Sequence, residues 1–187
     1  MARRIYNFEE PDRFIAGAIG EPGSRTFYLQ ARGGGRTVSV LIEKVQVALL
    51  AERLTQLLTQ LRAAGAGVPD EPAPADRDTS PLEEPVNPVL RVGTMAIVWD
   101  VEDEVMVVEA RELTEADEDE DEAVETDEDQ ADDETDLMRV HLTPGKALAF
   151  AERALEVVAS GRPPCPFCGQ PLNPEGHICV RRNGFMH

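Results

Sequence analysis

All three cysteines of this 187-residue chain lie between positions 165 and 179. Cys165 and Cys168 are spaced C-x-x-C, which lets two thiolates reach one ion from a single turn, and His177 and Cys179 follow closely. Three Cys and one His form a closed tetrahedral set, as in a structural zinc site. The sequence therefore predicts bound Zn²⁺ held by these four side chains, with Gly169 supplying the positive φ of the turn.

Two other interpretations of the same residues stay open. Three reduced, partly buried cysteines beside a surface histidine would need no ion. A catalytic zinc or a redox-active dithiol uses the same residue types. We favour the structural metal because the set offers four ligands and leaves no position for water or substrate.

The net charge of −18 is concentrated in one segment. Residues 115–136 hold fifteen Asp and Glu and no Lys or Arg, which leaves 21 acidic against 18 basic residues, a net charge of −3, for everything else. Such a run is predicted to be a solvated, disordered insert. A docking arm for a basic partner, a mimic of nucleic-acid charge and weak divalent-cation binding are the alternatives.

The hydrophobic periodicity predicts an α+β fold. Antiparallel β-meanders, two packed α-helices and a C-terminal zinc knuckle account for the pattern. The predicted strands cover residues 5–8, 13–19, 25–31, 37–42, 89–99, 105–110 and 137–142, and the helices cover 43–65 and 144–160.

The composition divides the chain into four parts. We predict a β-meander plus helix over 1–67, a Pro-rich linker over 68–88, strands plus a helix over 89–160 with the acidic insert 115–136, and a zinc-binding tail over 161–187. Residues 1–67 and 89–187 are expected to form one compact unit. The strand-to-helix passages near residues 40 and 140 resemble each other, which we interpret as chance similarity, with an internal repeat as the alternative.

Few other residues carry a pattern typical of chemistry. The glycines at 33–35 lack the Gly-Lys-Ser/Thr of a phosphate loop and predict a hairpin turn. Thr143 and Pro144 predict a capped helix start, with anion binding at that end as the alternative. His141 fits a structural strand residue, and Asp12 with Arg13 fits a turn followed by a strand edge.

The tail resembles a known family in long, ordered strings. Residues 161–169 and 171–179, with Arg181, Asn183 and Gly184, look like the C-terminal signature of domain-of-unknown-function family 3090, and residues 12–14, 20–23, 25–27 and 29–31 are similar to its N-terminal half. Asn173 and Val180 depart from its usual Asp and Pro, and neither is a ligand. The resemblance supports the fold boundaries and a cytoplasmic location and implies no activity.

We therefore expect a zinc-stabilised cytoplasmic protein that binds a protein partner and is not an enzyme. Clustered reduced cysteines fit a reducing compartment, and no long apolar run predicts a membrane span or signal peptide. One alternative is nucleic-acid binding through Arg162, Arg181 and Arg182 around the knuckle. Another is an enzyme whose site includes Asp12 and Arg13, which no motif supports.

The acidic tract generates the first testable prediction. Deleting it should leave the thermal midpoint within a few degrees, or raise it, because like charges at this density repel each other and cannot be buried. Calorimetry of the intact and shortened chains measures the effect. A large loss of stability would show that the tract belongs to the fold.

Overall fold

A computed structural model describes residues 3–114, 135–161, 165–169, Leu172 and Cys179. It confirms the α+β class, with a mixed seven-stranded sheet and two helices in the described part. The strands are β1 (Ile5–Phe8), β2 (Arg13–Ile19), β3 (Thr26–Gly33), β4 (Arg36–Ile42), β5 (Pro88–Asp100), β6 (Val105–Glu112) and β7 (Leu137–Leu142), and the helices are α1 (Lys44–Ala63) and α2 (Pro144–Ala159).

The strand order is β1-β7-β6-β5-β4-β3-β2. Strands β2 to β4 and strands β5 to β7 form the two expected antiparallel meanders. The meanders meet through a parallel β4–β5 pair, and β1 lies parallel to β7. Sequence reasoning did not foresee these parallel pairs, because each joins segments separated by a helix and a long connection.

Each meander ends in a helix, and the two halves bury equivalent positions. Val40 and Val140 are fully buried strand residues, one hundred positions apart, and Ala51 and Ala151 are buried helix residues with the same offset. Both helices contribute to one hydrophobic core with the facing side of the sheet. Each half therefore places one buried strand residue and one buried helix residue at matching sequence positions, and the chance and repeat interpretations both stay predictions.

The turn between β3 and β4 shows why glycine is needed there. Gly34 and Gly35 have φ of +59° and +74°, and they are the two residues between the strands. Positive φ at both central residues is the signature of a hairpin turn that matches strand twist. The predicted hairpin is confirmed.

A strap, defined as residues 78–83, covers the outer face of the first meander. Gln30 and Ser39 alternate with core residues and therefore point away from the helices, yet both are buried. The Gln30 side chain donates to the Glu83 carbonyl at 3.0 Å and accepts from the Glu83 N–H at 2.8 Å. At Gly17 an added Cβ would lie 2.6 Å from the Leu82 side chain, so a larger residue there would force Leu82 to move.

The strap is fastened by two arginines. Arg13, whose side chain is 7% exposed, binds both carboxylate oxygens of Asp78 and donates to the carbonyls of Ser80 and Pro81 at 2.8 Å each. Arg153 of α2 donates to the carbonyls of Ala16, Asp78 and Ser80. Edge strand β2, the strap and α2 are thereby joined in one network.

Asp136 belongs to the fold although it ends the acidic tract. Its carboxylate accepts from the Arg4 N–H at 2.8 Å, and its carbonyl accepts from the Glu112 N–H at 2.9 Å. The tract at 115–134 lies outside the described residues. A deletion intended to remove only the tract should therefore spare Thr135 and Asp136.

In the described part, no helix is long and apolar enough to cross a lipid bilayer. The apolar surface of α1 and α2 is instead used for the core.

The strap generates a prediction about stability and pH. Asp78→Asn should lower the free energy of unfolding by about 2–4 kcal/mol, because it removes the nearer of the two carboxylates beside the buried Arg13 guanidinium and leaves only Glu83, at 3.9 Å. Its hydrogen bond to Arg13 lowers the pKa of Asp78 below the ordinary value. The Asp78 contribution should therefore be complete near neutral pH and fade as pH falls from about 4 through the lowered pKa.

Urea denaturation at pH 7 and at several values down to pH 3 measures both effects. Glu152→Gln is the matched control, since it breaks the exposed contact with Arg77 at 3.7 Å and should cost well under about 1 kcal/mol. Equal losses in the two variants, or a wild-type advantage that grows on acidification, would contradict this account.

Candidate metal centre

The C-x-x-C segment forms a closed turn. The Gly169 N–H donates to the Cys165 carbonyl at 2.8 Å, and Gly169 has φ of +75°, as the sequence predicted. This left-handed conformation is accessible to glycine without a Cβ clash. The turn brings the side chains of Cys165 and Cys168 to the same side.

Three thiols converge at this turn. The sulfurs of Cys165, Cys168 and Cys179 all lie within 4.8 Å of one another, and the Cys165–Cys179 pair is 3.9 Å apart. All three are free thiols; Cys165 and Cys179 are buried and Cys168 is partly exposed. Cys179 reaches the turn from ten or more positions along the chain, so the fold assembles the cluster from two segments.

Backbone donors favour the thiolate form at the turn. Burial raises the pKa of Cys165, but N–H groups of Cys168 and Phe167 and the neighbouring thiols outweigh it, so its pKa is lowered. The Phe167 N–H lies 3.4 Å from the Cys165 sulfur. A cysteine binds a metal ion as the thiolate, so these donors favour the form of Cys165 that can bind an ion.

The cluster fits a tetrahedral ion. Sulfurs at about 2.3 Å from a tetrahedral centre lie about 3.8 Å from each other, close to the 3.9 Å between Cys165 and Cys179. Three thiolates with backbone N–H support can therefore hold a metal ion at this point. The arrangement has the soft donors that suit zinc and other thiophilic metals.

Several predicted residues lie outside the described part of the chain. His177, the expected fourth ligand, is one of them, and so are Arg162, Arg181 and Arg182 of the expected nucleic-acid interface. The four-ligand set and the basic surface therefore remain predictions. The three cysteines, which are described, lie close enough together that they could hold a metal ion.

Among the other candidate residues, Thr143, Lys146 and Arg13 have structural partners. Thr143 accepts from the Lys146 N–H at 3.4 Å, as an N-cap does, and the Lys146 ammonium donates to the Pro11 carbonyl at 2.9 Å. Arg13 uses its donors on the strap, and the neighbouring Asp12 is exposed. His141 is a partly buried residue of β7 whose Nε2 lacks a hydrogen bond within the described residues.

Sequence reasoning missed one group of basic side chains. Arg25, Lys44 and Arg91 line a single cavity, together with the end of α2. These residues come from three distant parts of the chain, so no local motif could have revealed them. Only the packing of α1 against α2 beside β3 and β4 brings them together.

The comparisons with known proteins give one match. The sequence model of the family described as "Protein of unknown function (DUF3090)" matches residues 6–179, which include all three cysteines. No curated protein and no solved structure matches the chain.

Proposed function

Since the chain belongs to the DUF3090 family, whose function is unknown, we propose its role from its own geometry: a zinc-stabilised protein-interaction module. The proposal of a metal site is supported by the convergence of Cys165, Cys168 and Cys179. His177 completes a Cys₃His set in this proposal, and Zn²⁺ is the ion such a closed set favours. A reducing cytoplasm keeps these thiols available for metal.

The metal has a structural role in this proposal. Two of the three described ligands are buried, and no substrate needs to reach the ion in a closed tetrahedral set. Cys179 lies far from the C-x-x-C turn in sequence, so an ion shared between them restrains the intervening segment. Binding free energy is then used to order the tail.

The interaction part rests on an exposed strand edge. Strand β5 pairs with β4 only at Pro88 and Arg91, whereas its second half, from Met95 to Asp100, pairs with β6 alone among the described strands. This half spans about 20 Å and leaves one row of backbone groups without a strand partner. Val98 in this half is 54% exposed, so the edge carries an accessible apolar side chain.

An extended segment of a partner protein can pair with such an edge. Strand addition uses backbone hydrogen bonds for affinity and alternate side chains for specificity. Proteins without a partner commonly protect an edge with charge, and Val98 offers none. We take the second half of β5 as the docking edge for an extended peptide of a partner protein.

The zinc assignment predicts a specific pattern of metal loss. Freshly purified, untagged protein should contain about one zinc per chain. Cys168→Ser should lose it, and His177→Gln should weaken binding on the order of a hundredfold, because each removes one of four ligands. Elemental analysis and competition with a chromogenic chelator measure content and affinity.

His141→Gln is the matched control, since it makes the same change at a histidine in β7 that is not a member of the cysteine cluster. It should keep full zinc content. Absence of any transition metal in the wild type would refute the metal assignment, and equal losses from both histidine changes would refute His177 as the fourth ligand.

The docking edge predicts which protein partners depend on β5. Partners captured by the full chain should be lost on Val98→Lys, because a lysine on an edge strand opposes strand addition. Val107→Lys is the control, since Val107 pairs with Val98 on the adjacent β6 and lies one strand inward. Quantitative mass spectrometry, followed by binding of the purified partner, measures the difference.

Nuclease treatment before capture separates protein binding from nucleic-acid binding. Partners that resist nuclease and depend on Val98 support the interaction module. Capture that disappears with nuclease, or that is equal for both lysine variants, would contradict it and favour the nucleic-acid alternative.

A further inference from the structure

A cavity of about 710 Å³ opens where the first turn of α1 meets the last turn of α2. Apolar side chains of β3, β4 and α2 line part of it, namely those of Phe27, Leu41, Ile42 and Val158. The volume is within the range of small-molecule sites, which combine an apolar lining with a few polar groups. The cavity can therefore hold a compound with an apolar body.

The charged groups around the cavity are mainly basic. Arg25, Lys44 and Arg91 line it, with Glu43 as the acidic residue among the described lining. Arg91 pairs with Glu43 at 2.9 Å, whereas Arg25 donates to the neutral hydroxyl of Ser160 at 2.9 Å. The lining thus carries a net charge of +2 in a chain whose net charge is −18.

Among these basic side chains, Lys44 has the fewest hydrogen bonds and ion pairs within the described residues. Its ammonium makes no hydrogen bond or ion pair within the described residues, and its Nζ lies 3.5 Å from where a Cβ on Gly161 would be. The missing Cβ of Gly161 leaves space beside the ammonium. An anion entering the cavity would meet the Lys44 ammonium and the Arg25 guanidinium.

From these observations we propose that the cavity binds a small phosphate monoester whose organic group is apolar. A phosphate dianion matches the +2 charge of the lining, and guanidinium groups suit phosphate oxygens. The apolar lining accommodates the ester group. None of the described residues that line the cavity belongs to the cysteine cluster or to the second half of β5, so this binding activity adds a small-molecule ligand to the proposed interaction module.

A polyanion fits the cavity less well than a small ligand. The site is a concave pocket rather than an extended basic groove, and three basic residues give few phosphate contacts. The fifteen acidic residues of 115–136 also oppose binding of a long nucleic acid. The chemistry of the cavity therefore points to one phosphate group per ligand.

Isothermal titration of the full chain with phenyl phosphate tests this proposal, with inorganic phosphate and phenol as comparison ligands. Phenyl phosphate should bind more tightly than inorganic phosphate, and phenol should not bind. Lys44→Gln should weaken phenyl phosphate binding about tenfold, because a charge-assisted contact is lost. Arg25→Gln should have a similar effect and serves as a second variant should Lys44→Gln fold poorly.

Arg53→Gln is the matched control, because it removes one positive charge from an exposed position on the same helix outside the cavity. It should leave the affinity unchanged. Absence of phenyl phosphate binding at millimolar concentration would overturn the proposal, as would equal weakening by Arg53→Gln and Lys44→Gln. Equal affinity for phenyl phosphate and inorganic phosphate would overturn the role of the apolar lining.

Discussion

The buried guanidinium of Arg13 is the interaction on which the first half of the molecule depends. A charge with 7% exposure is costly unless its donors are satisfied, and Asp78 with the Ser80 and Pro81 carbonyls satisfies them. Those acceptors all lie in the strap, so the arginine can be buried only while the strap is in place. Arg153 adds α2 to the same network, which couples the outer surface of the sheet to the helical layer.

Much of the secondary structure was predictable because it depends on local patterns. The alternation of β7, Leu137–Leu142, and the cap at Thr143 were identified with their observed bounds. The parallel β4–β5 pair was not, since hydrophobic period carries no information about which distant strands become neighbours. The Pro-rich segment was correctly predicted to lack helix, but its packing across the sheet depends on contacts such as Gly17 with Leu82, which composition does not encode.

The candidate sites also differ in whether they depend on a local sequence pattern or on contacts between distant segments. The cysteine cluster was predictable because C-x-x-C spacing constrains two sulfurs to one turn. A tetrahedral site needs further ligands, and Cys179 is the remaining cysteine of the chain. The basic cavity was not predictable, because Arg25 and Arg91 come from different meanders and meet only after the helices pack together. The lowered pKa of Cys165 was not predictable either, because the backbone N–H groups and neighbouring thiols that lower it are oriented only by the folded turn.

The two ends of the β6–β7 connection are held in place, and this affects how the length of the connection can change. Arg111 pairs with Leu137, and the Glu112 N–H donates to the Asp136 carbonyl, so both ends of the connection are held by neighbouring antiparallel strands. Between fixed ends, each doubling of loop length adds only about 0.6 kcal/mol of closure entropy. We therefore expect insertion or loss of residues in this connection to leave the strand register and the core unchanged.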